Sequence, residues 1–206
     1  MCTKAPVSSP DSAESTQKYP EVVFIDPQLT HTIVPKPEII GCPGPARPKN
    51  VDGVKQKKVQ CFLSGPLQPI TRLIVDLHVP DNAERFSINF HKDEKNILCH
   101  FDPRFNYGTC KNITVCNVMQ NGEWGIEDCF GGDKHPFPFT PGGDYTVAFE
   151  FGENEIGILV NDKSYITFKC REKCSMQDIT YLEFQFAEVY KVEAVKLLIP
   201  FILFSN

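Results

Sequence analysis

The segment that decides the fold reads TRLIVDLHVP over residues 71–80. Its apolar side chains recur at every second position, at Leu73, Val75, Leu77 and Val79. Successive side chains of a β-strand point to opposite faces of the sheet, so this spacing predicts a strand with one face in the core. A helix would instead place apolar residues three or four positions apart.

Similar short runs continue outward from this segment toward the C-terminus. Turn formers separate them, such as PDN at 80–82 and PGG at 141–143. Many short strands joined by turns are typical of an antiparallel sandwich or barrel, so the predicted fold class is all-β. We expect strands at 71–80, 85–90, 112–118, 145–151, 155–161, 165–170, 181–186 and 192–198.

Residues 1–55 have a different composition, because they contain nine of the seventeen prolines. Proline fixes φ and removes a backbone donor. We therefore predict a flexible extension over residues 1–55 and one folded domain over residues 56–206. A PxxP motif at 45–48 could suit an SH3-type groove, although a plain spacer is the simpler interpretation.

The charge and the apolar runs narrow the choice of partners. A net charge of −5 does not favour binding to nucleic acid or to anionic membranes. The run LLIPFILF at 197–204 is short and interrupted by proline, so no membrane insertion is expected. The first residues lack the apolar run of a signal peptide, which predicts a cytoplasmic protein.

The cysteines show no pattern of a metal site or a disulfide framework. Their number is odd, and no pair has the C-x2-C spacing of a zinc module. We expect mostly buried thiols and neither a metal nor another cofactor. The nine cysteines lie at positions 2, 42, 61, 99, 110, 116, 129, 170 and 174.

Polar residues interrupt the apolar pattern in NILCHFDPRF at 96–105 and in EWGIE at 123–127. Period-two alternation places His100, Asp102 and Arg104 on one strand face. A sugar needs fixed donors and acceptors for its hydroxyls and an aromatic surface for its C–H groups, and these residue types supply them. By itself, the first segment also fits a solvated strand face with an internal salt bridge, and a lone tryptophan also fits a core.

Catalysis fits these residues less well than binding. Asp102 and Glu127 could form a glycosidase pair, which requires a carboxyl group of raised pKa. Arg104 should instead lower the pKa of Asp102 and keep it ionised. Cys99 and Cys116 lie on strand faces opposite the polar residues, and no nucleophile elbow or phosphate-binding loop occurs. We therefore expect sugar binding without turnover rather than an enzyme.

In combination, the motifs resemble those of the galectins over about residues 57–200. The resemblance implies a galectin- or concanavalin-like jelly-roll sandwich of two antiparallel sheets, with β-galactosides such as lactose or N-acetyllactosamine on the concave sheet. The galectin pattern consists of H-x-N-P-R, V-x-N and W-G-x-E-x-R. The matching segments here are HFDPR at 100–104, VCN at 115–117 and WGIEDC at 124–129. The segments RFSIN at 85–89 and FPF at 137–139 also look like galectin strands.

The resemblance also implies a role for each matching residue. His100 and Arg104 would hold the axial 4-hydroxyl of galactose. Asn117 and Glu127 would hold the 6-hydroxyl, and Trp124 would stack on the ring. The expected carbohydrate-binding residues are therefore His100, Asp102, Arg104, Asn117, Trp124 and Glu127.

The sequence departs from the family pattern at two positions. Asp102 replaces an asparagine, which exchanges an amide donor for a carboxylate that only accepts. Cys129 replaces a second arginine, which in the family braces the glutamate and reaches the next sugar. We expect Cys129 to modify that neighbouring subsite and to leave Glu127 less firmly held.

The family resemblance suggests partners and leaves an alternative open. The implied partners are β-galactoside glycans of glycoproteins or glycolipids, with a homodimer as a further possibility. Galectins can also leave the cell by an unconventional secretion route, which would place the protein outside it. The alternative is a galectin-fold protein that has lost useful sugar affinity and acts as a protein-interaction module.

Overall fold

The structure is a computed structural model that describes residues 39–40, 58–63, 66, 71–171 and 175–196. These residues form β-strands and their connections, with a short 3-10 helix at Met176–Asp178. All of them belong to one compact unit, Lys36–Asn206. None of the helical structure in this part of the chain is long and apolar enough to span a bilayer.

The strands form two antiparallel sheets. They are β1 (Ile39–Ile40), β2 (Val59–Leu63), β3 (Thr71–His78), β4 (Ser87–Asp93), β5 (Asn96–Tyr107), β6 (Cys110–Gln120), β7 (Glu123–Trp124), β8 (Asp128–Phe130), β9 (Asp144–Phe151), β10 (Glu155–Val160), β11 (Lys163–Lys169), β12 (Tyr181–Gln185) and β13 (Glu188–Lys196). An eight-stranded sheet has the order β1-β2-β12-β4-β5-β6-β7, with β8 also paired to β6. A five-stranded sheet has the order β11-β10-β9-β3-β13.

The core lies between the two sheets, as the alternation predicted. Leu73, Val75 and Leu77 are buried in the five-stranded sheet. Phe90 of the eight-stranded sheet meets Phe149 of the other sheet edge to face, with ring centroids 4.7 Å apart. Full burial of each such side chain contributes about 1.5–3 kcal/mol. The predicted all-β sandwich of two antiparallel sheets is therefore confirmed.

Most of the predicted strand bounds differ from the structure by one to three residues, and two differences are larger. β13 begins at Glu188 rather than at residue 192, because its pairing with β3 continues through an irregularity between Val189 and Lys191. The FPF segment at 137–139 is not a strand. Pro136 before the segment and Pro138 within it cannot donate to a ladder, and Phe139 packs instead against Phe86, with ring centroids 5.1 Å apart.

The sheet also takes in two residues of the predicted extension. Ile39 lies opposite Leu63 and Ile40 opposite Phe62, so β1 pairs with the edge of β2. An edge strand offers unpaired backbone donors and acceptors, and β-branched residues suit strand geometry. The predicted domain boundary at 55/56 and the PxxP motif at 45–48 lie outside the described residues.

The cysteines follow the prediction only in part. Cys99, Cys110, Cys116 and Cys129 retain thiols, and the first three are buried. Burial raises the pKa of Cys116 well above its usual value, so this thiol stays protonated. Cys61 and Cys170, however, are disulfide-bonded. The prediction of thiols is wrong at these two positions, because spacing along the chain does not reveal which cysteines the fold brings together.

Candidate functional site

The strand register places polar side chains from neighbouring strands in one row across the eight-stranded sheet. Opposite pairs are Gln60 and Glu183, Glu183 and Asn89, Asn89 and His100, and His100 and Asn117. We call these residues the polar row, and the sheet surface that carries them the polar face. The alternate residues Phe90 and Phe101 point to the core, so the polar face points away from the five-stranded sheet.

His100 lies in the middle of the polar row and contacts residues on both sides. Its Nδ1 atom is 2.5 Å from Oδ1 of Asn89. Its Nε2 atom is 3.5 Å from Oδ2 of Asp102. The ring centroid is 4.8 Å from that of Trp124. The predicted neighbours His100, Asp102 and Trp124 are thus brought together.

Asp102 is completely buried, with 0% exposure. Its Oδ2 atom accepts a hydrogen bond from Nε of Arg104 at 2.7 Å and another from Nη1 of Arg85 at 3.4 Å. Burial would raise the pKa of Asp102, but His100, Arg85 and Arg104 more than offset burial and hold the pKa below its usual value. The predicted lowering of this pKa is confirmed, and the alternative of a solvated strand face is excluded.

Arg104 joins the two carboxylates of the site. Besides its bond to Asp102, it donates from Nη2 to Oε1 of Glu127 at 2.7 Å and from Nη1 to Oε2 at 3.4 Å. Such paired bonds match the fork shape of the guanidinium group. Arg104 therefore braces Glu127, and the expectation that Cys129 leaves Glu127 less firmly held than a second arginine would stays a prediction.

Asn117 and Trp124 complete the predicted set. Asn117 donates from Nδ2 to the carbonyl of Gly125 at 2.9 Å, and its Oδ1 accepts from the amide of Val118 at 2.9 Å. The bond to Gly125 ties the turn between β7 and β8 to β6. Trp124 is 53% exposed, so it is a surface residue beside His100 and not part of the core.

Cys129 lies on the polar face, next to Asp102 in the register. Val115 is opposite Asp102 on one side and opposite Cys129 on the other. Asp128, which precedes Cys129, lies opposite the buried Cys116 and pairs with Arg171 at 3.0 Å. The thiol at position 129 is thus exposed on the same surface as the other candidate residues.

The structure adds residues that the sequence interpretation did not assign to the site. Arg85 contacts Asp102, and its guanidinium carbon lies 4.6 Å from the ring centroid of Tyr107. Asn89 and Glu183 continue the polar row beyond His100. Alternation in RFSIN and in YLEFQ marks these side chains as facing away from the core, but only the register identifies their partners.

The site offers a dense set of fixed donors and acceptors beside an exposed aromatic ring. No group of three or more His, Cys, Asp or Glu in the described ranges is arranged to hold a metal ion. A cleft of about 310 Å³ near Arg171 and Lys92 contains none of the predicted sugar-binding residues. The chemistry of the polar face is therefore hydrogen bonding and stacking.

A two-sheet β-sandwich with such a face defines a lectin-like binding protein, and the comparisons name its family. The chain belongs to the galactoside-binding lectins, whose family pattern matches residues 58–194. It is 34% identical to galectin-1 of Ovis aries over 116 residues, covering 56% of this chain and 82% of that protein.

A chicken sequence and a chicken structure show the same similarity. The 16 kDa beta-galactoside-binding lectin of Gallus gallus is 31% identical over 130 residues, which cover 63% of this chain and 90% of that protein. The solved structure of CG-16, a homodimeric agglutinin from chicken liver, superimposes with a TM-score of 0.59 at 26% identity. That match covers 68% of this chain and 100% of the agglutinin. The predicted galectin family is confirmed.

Proposed function

We propose that the polar face binds β-galactosides such as lactose or N-acetyllactosamine and releases them unchanged. The observation that carries this proposal is the arrangement around Arg104. Its guanidinium group is held between Asp102 and Glu127, beside His100 and within the same surface as the exposed Trp124. A guanidinium group fixed in this way can donate to sugar hydroxyls without losing further side-chain freedom.

The family roles can be assigned to this arrangement. The axial 4-hydroxyl of galactose would lie against His100 and Arg104. Asn117 still has a second N–H, and Glu127 still has lone pairs, so both can hold the 6-hydroxyl. Trp124 would cover the C–H surface of the ring. The partners would then be β-galactoside glycans on glycoproteins or glycolipids.

Turnover is not expected at this site. Glycoside hydrolysis requires a carboxylic acid that donates a proton to the leaving oxygen. Asp102 is fully buried against Arg104, and its lowered pKa keeps it ionised. An aryl galactoside should therefore remain intact after prolonged incubation with the protein, and its hydrolysis would contradict the proposal.

Retention on lactose-agarose tests the binding proposal. The full chain should be retained and should elute with free lactose but not with sucrose. Lactose should also change the emission of Trp124 in a saturable manner, with an affinity between micromolar and millimolar, about −8 to −4 kcal/mol. A folded protein that flows through the column would support the protein-interaction module instead.

We also infer that the protein can self-associate, because the similar agglutinin CG-16 is a homodimer. Sedimentation over a range of concentrations should then show a second species of about twice the 23.3 kDa chain mass. A single monomer at all concentrations would contradict this proposal.

A further inference from the structure

Glu183 is a buried carboxylate that is surrounded by donors. The residue is 3% exposed. Its Oε1 atom accepts from Nε2 of Gln185 at 2.6 Å and from Nδ2 of Asn89 at 3.4 Å. Its Oε2 atom lies 2.6 Å from Nζ of Lys58 and accepts from Nε2 of Gln60 at 3.4 Å.

These donors keep Glu183 ionised. Burial would raise the pKa of Glu183, but Lys58, Gln185 and His91 more than offset it and lower the pKa below the usual value. An ionised carboxylate can only accept hydrogen bonds. Whatever faces Glu183 must therefore donate.

This requirement fixes the side-chain amide of Asn89. Its NH2 group must point to Glu183, so its oxygen must point to His100 on the adjacent strand. The contact between Oδ1 of Asn89 and Nδ1 of His100 is 2.5 Å. Because the amide oxygen accepts, the proton of a neutral His100 ring must be on Nδ1, which leaves a lone pair on Nε2.

We propose that Glu183 acts through Asn89 to hold His100 as the tautomer protonated at Nδ1, so that Nε2 accepts a hydrogen bond from the sugar. Glu183 and Asn89 are then positioning residues that need not contact the ligand. This inference rests on the proposed function for its last step only. The tautomer itself is a property of the protein without sugar.

The competing arrangement places the proton on Nε2, directed at Asp102. The geometry disfavours it, because Nε2 is 3.5 Å from Oδ2 of Asp102, whereas Nδ1 is 2.5 Å from Asn89. The same Oδ2 atom already accepts from Arg104 at 2.7 Å. A sugar hydroxyl at this position would face two acceptors, Nε2 and the Asp102 carboxylate, so it must donate.

Ring-nitrogen chemical shifts of His100 measure the tautomer without any sugar. They should be recorded at about pH 8, where an ordinary histidine is neutral. The full chain should show the Nδ1–H form. Asn89→Leu should shift the ring toward the Nε2–H form, and Glu183→Gln should shift it part of the way. Gln60→Leu is the matched control, since it removes a bond to Glu183 without touching Asn89, and it should leave the tautomer unchanged.

The Nε2–H form in the unmodified chain, or an unchanged tautomer in Glu183→Gln, would overturn the proposal. A binding measurement then tests the last step. Asn89→Leu should weaken the affinity for lactose by about three- to tenfold, which is the usual effect of one lost hydrogen bond. It should weaken binding of a 4-deoxygalactoside much less, because that ligand has no 4-hydroxyl to donate to Nε2.

Equal losses for both ligands, with the tautomer shifted as expected, would show that Nε2 does not receive the 4-hydroxyl. Failure of every galactoside to bind the unmodified chain would refute the proposed function and leave the tautomer result standing.

Discussion

Arg104 is the residue on which the candidate site depends most. It is nearly buried, and it bonds to Asp102, to Glu127 and to the sulfur of Cys110. Its contacts with Glu127, Cys110 and Asp102 outweigh the opposing effect of burial and raise its pKa, so it stays charged. Removing it would leave two carboxylates without their shared cation.

Arg104→Ala should abolish the lactose-induced change in Trp124 emission. The loss of a charged donor costs roughly 1.5–3 kcal/mol in binding, which would move a millimolar site beyond the range of the titration. The matched control is Arg72→Ala, which removes an ion pair with Glu150 on the five-stranded sheet, away from the polar face. An unchanged titration in Arg104→Ala would show that the sugar binds elsewhere.

Cys129→Arg should tighten binding of lactose and N-acetyllactosamine more than binding of free galactose. Glu127 is already braced by Arg104, so a second arginine adds little by pairing with it. A new charge-assisted bond to the neighbouring sugar could add roughly 1.5–3 kcal/mol. Calorimetric titration of the three sugars measures the difference.

The pattern across the three sugars identifies the cause of any gain. Equal gains would mean that the new arginine acts only through Glu127. The absence of any gain in a folded variant would mean that ligands do not extend over Cys129. Cys129→Lys is a useful control, since it adds the same charge without the planar fork of arginine.

At the level of strands, β4 and β12 are joined by a buried aromatic pair. His91 stacks on Tyr181 with ring centroids 4.4 Å apart and an angle of 12°. Nε2 of His91 is 3.5 Å from Oε2 of Glu183, and Nδ1 is 3.1 Å from the carbonyl of Asp93. Burial lowers the pKa of His91 below 6.5, despite the opposing effects of Asp93 and Glu183.

This lowered pKa predicts that acid destabilises the domain through His91. As the pH falls below 6.5, the unfolded chain binds a proton at His91 before the folded chain does. The free energy of unfolding should therefore fall by up to about 1.4 kcal/mol per pH unit from this group. Urea unfolding at about pH 7.5 and about pH 5.5 should show a smaller difference for His91→Phe than for the unmodified chain.

Protonation of the buried carboxylates does not confound this comparison of stability at the two pH values. The lowered pKa values of Asp102 and Glu183 mean that their stabilising effects are present above the usual carboxyl pKa and are lost only at lower pH. His78→Phe is the control, because His78 pairs with the exposed Asp144 and is not stacked on Tyr181. An identical pH dependence in His91→Phe and the unmodified chain would contradict the prediction.

Strand alternation explains what could be predicted from the sequence. It placed His100, Asp102 and Arg104 on one face, because side-chain direction depends only on local period. Alternation could not pair Glu183 with Asn89, because β12 lies between β2 and β4 in the sheet but is distant from both in the sequence. The Arg104–Glu127 brace was missed for the same reason, since it depends on how the turn after β7 returns to the sheet.

For the whole molecule, the pairing of β1 with β2 predicts that the residues needed for full stability begin near Ile39. Removing residues 1–38 should leave both the melting temperature and the lactose affinity unchanged. Removing residues 1–57 also removes β1, which exposes the edge of β2, and should lower the free energy of unfolding by about 1 kcal/mol or more. Thermal unfolding and lactose titration of both shortened chains test this.

Lactose affinity should change by less than about twofold in either shortened chain, because the predicted sugar contacts come from β5 to β8 and the turn after β7. A large loss of stability on removing residues 1–38 would show that more of the extension supports the domain. Equal stability of the two shortened chains would show that β1 contributes nothing measurable.

The order of strands in the eight-stranded sheet also governs when the polar face can exist. β12 lies between β2 and β4, so residues near positions 60 and 90 become neighbours only through a segment beyond position 180. Such distant pairings make folding slow, since a long loop must close before the contacts form. During synthesis, a chain that has emerged only as far as β11 can contain His100, Arg104 and Trp124 and still lack the carboxylate that orients the histidine. Sugar binding should therefore be among the last properties that the nascent domain acquires.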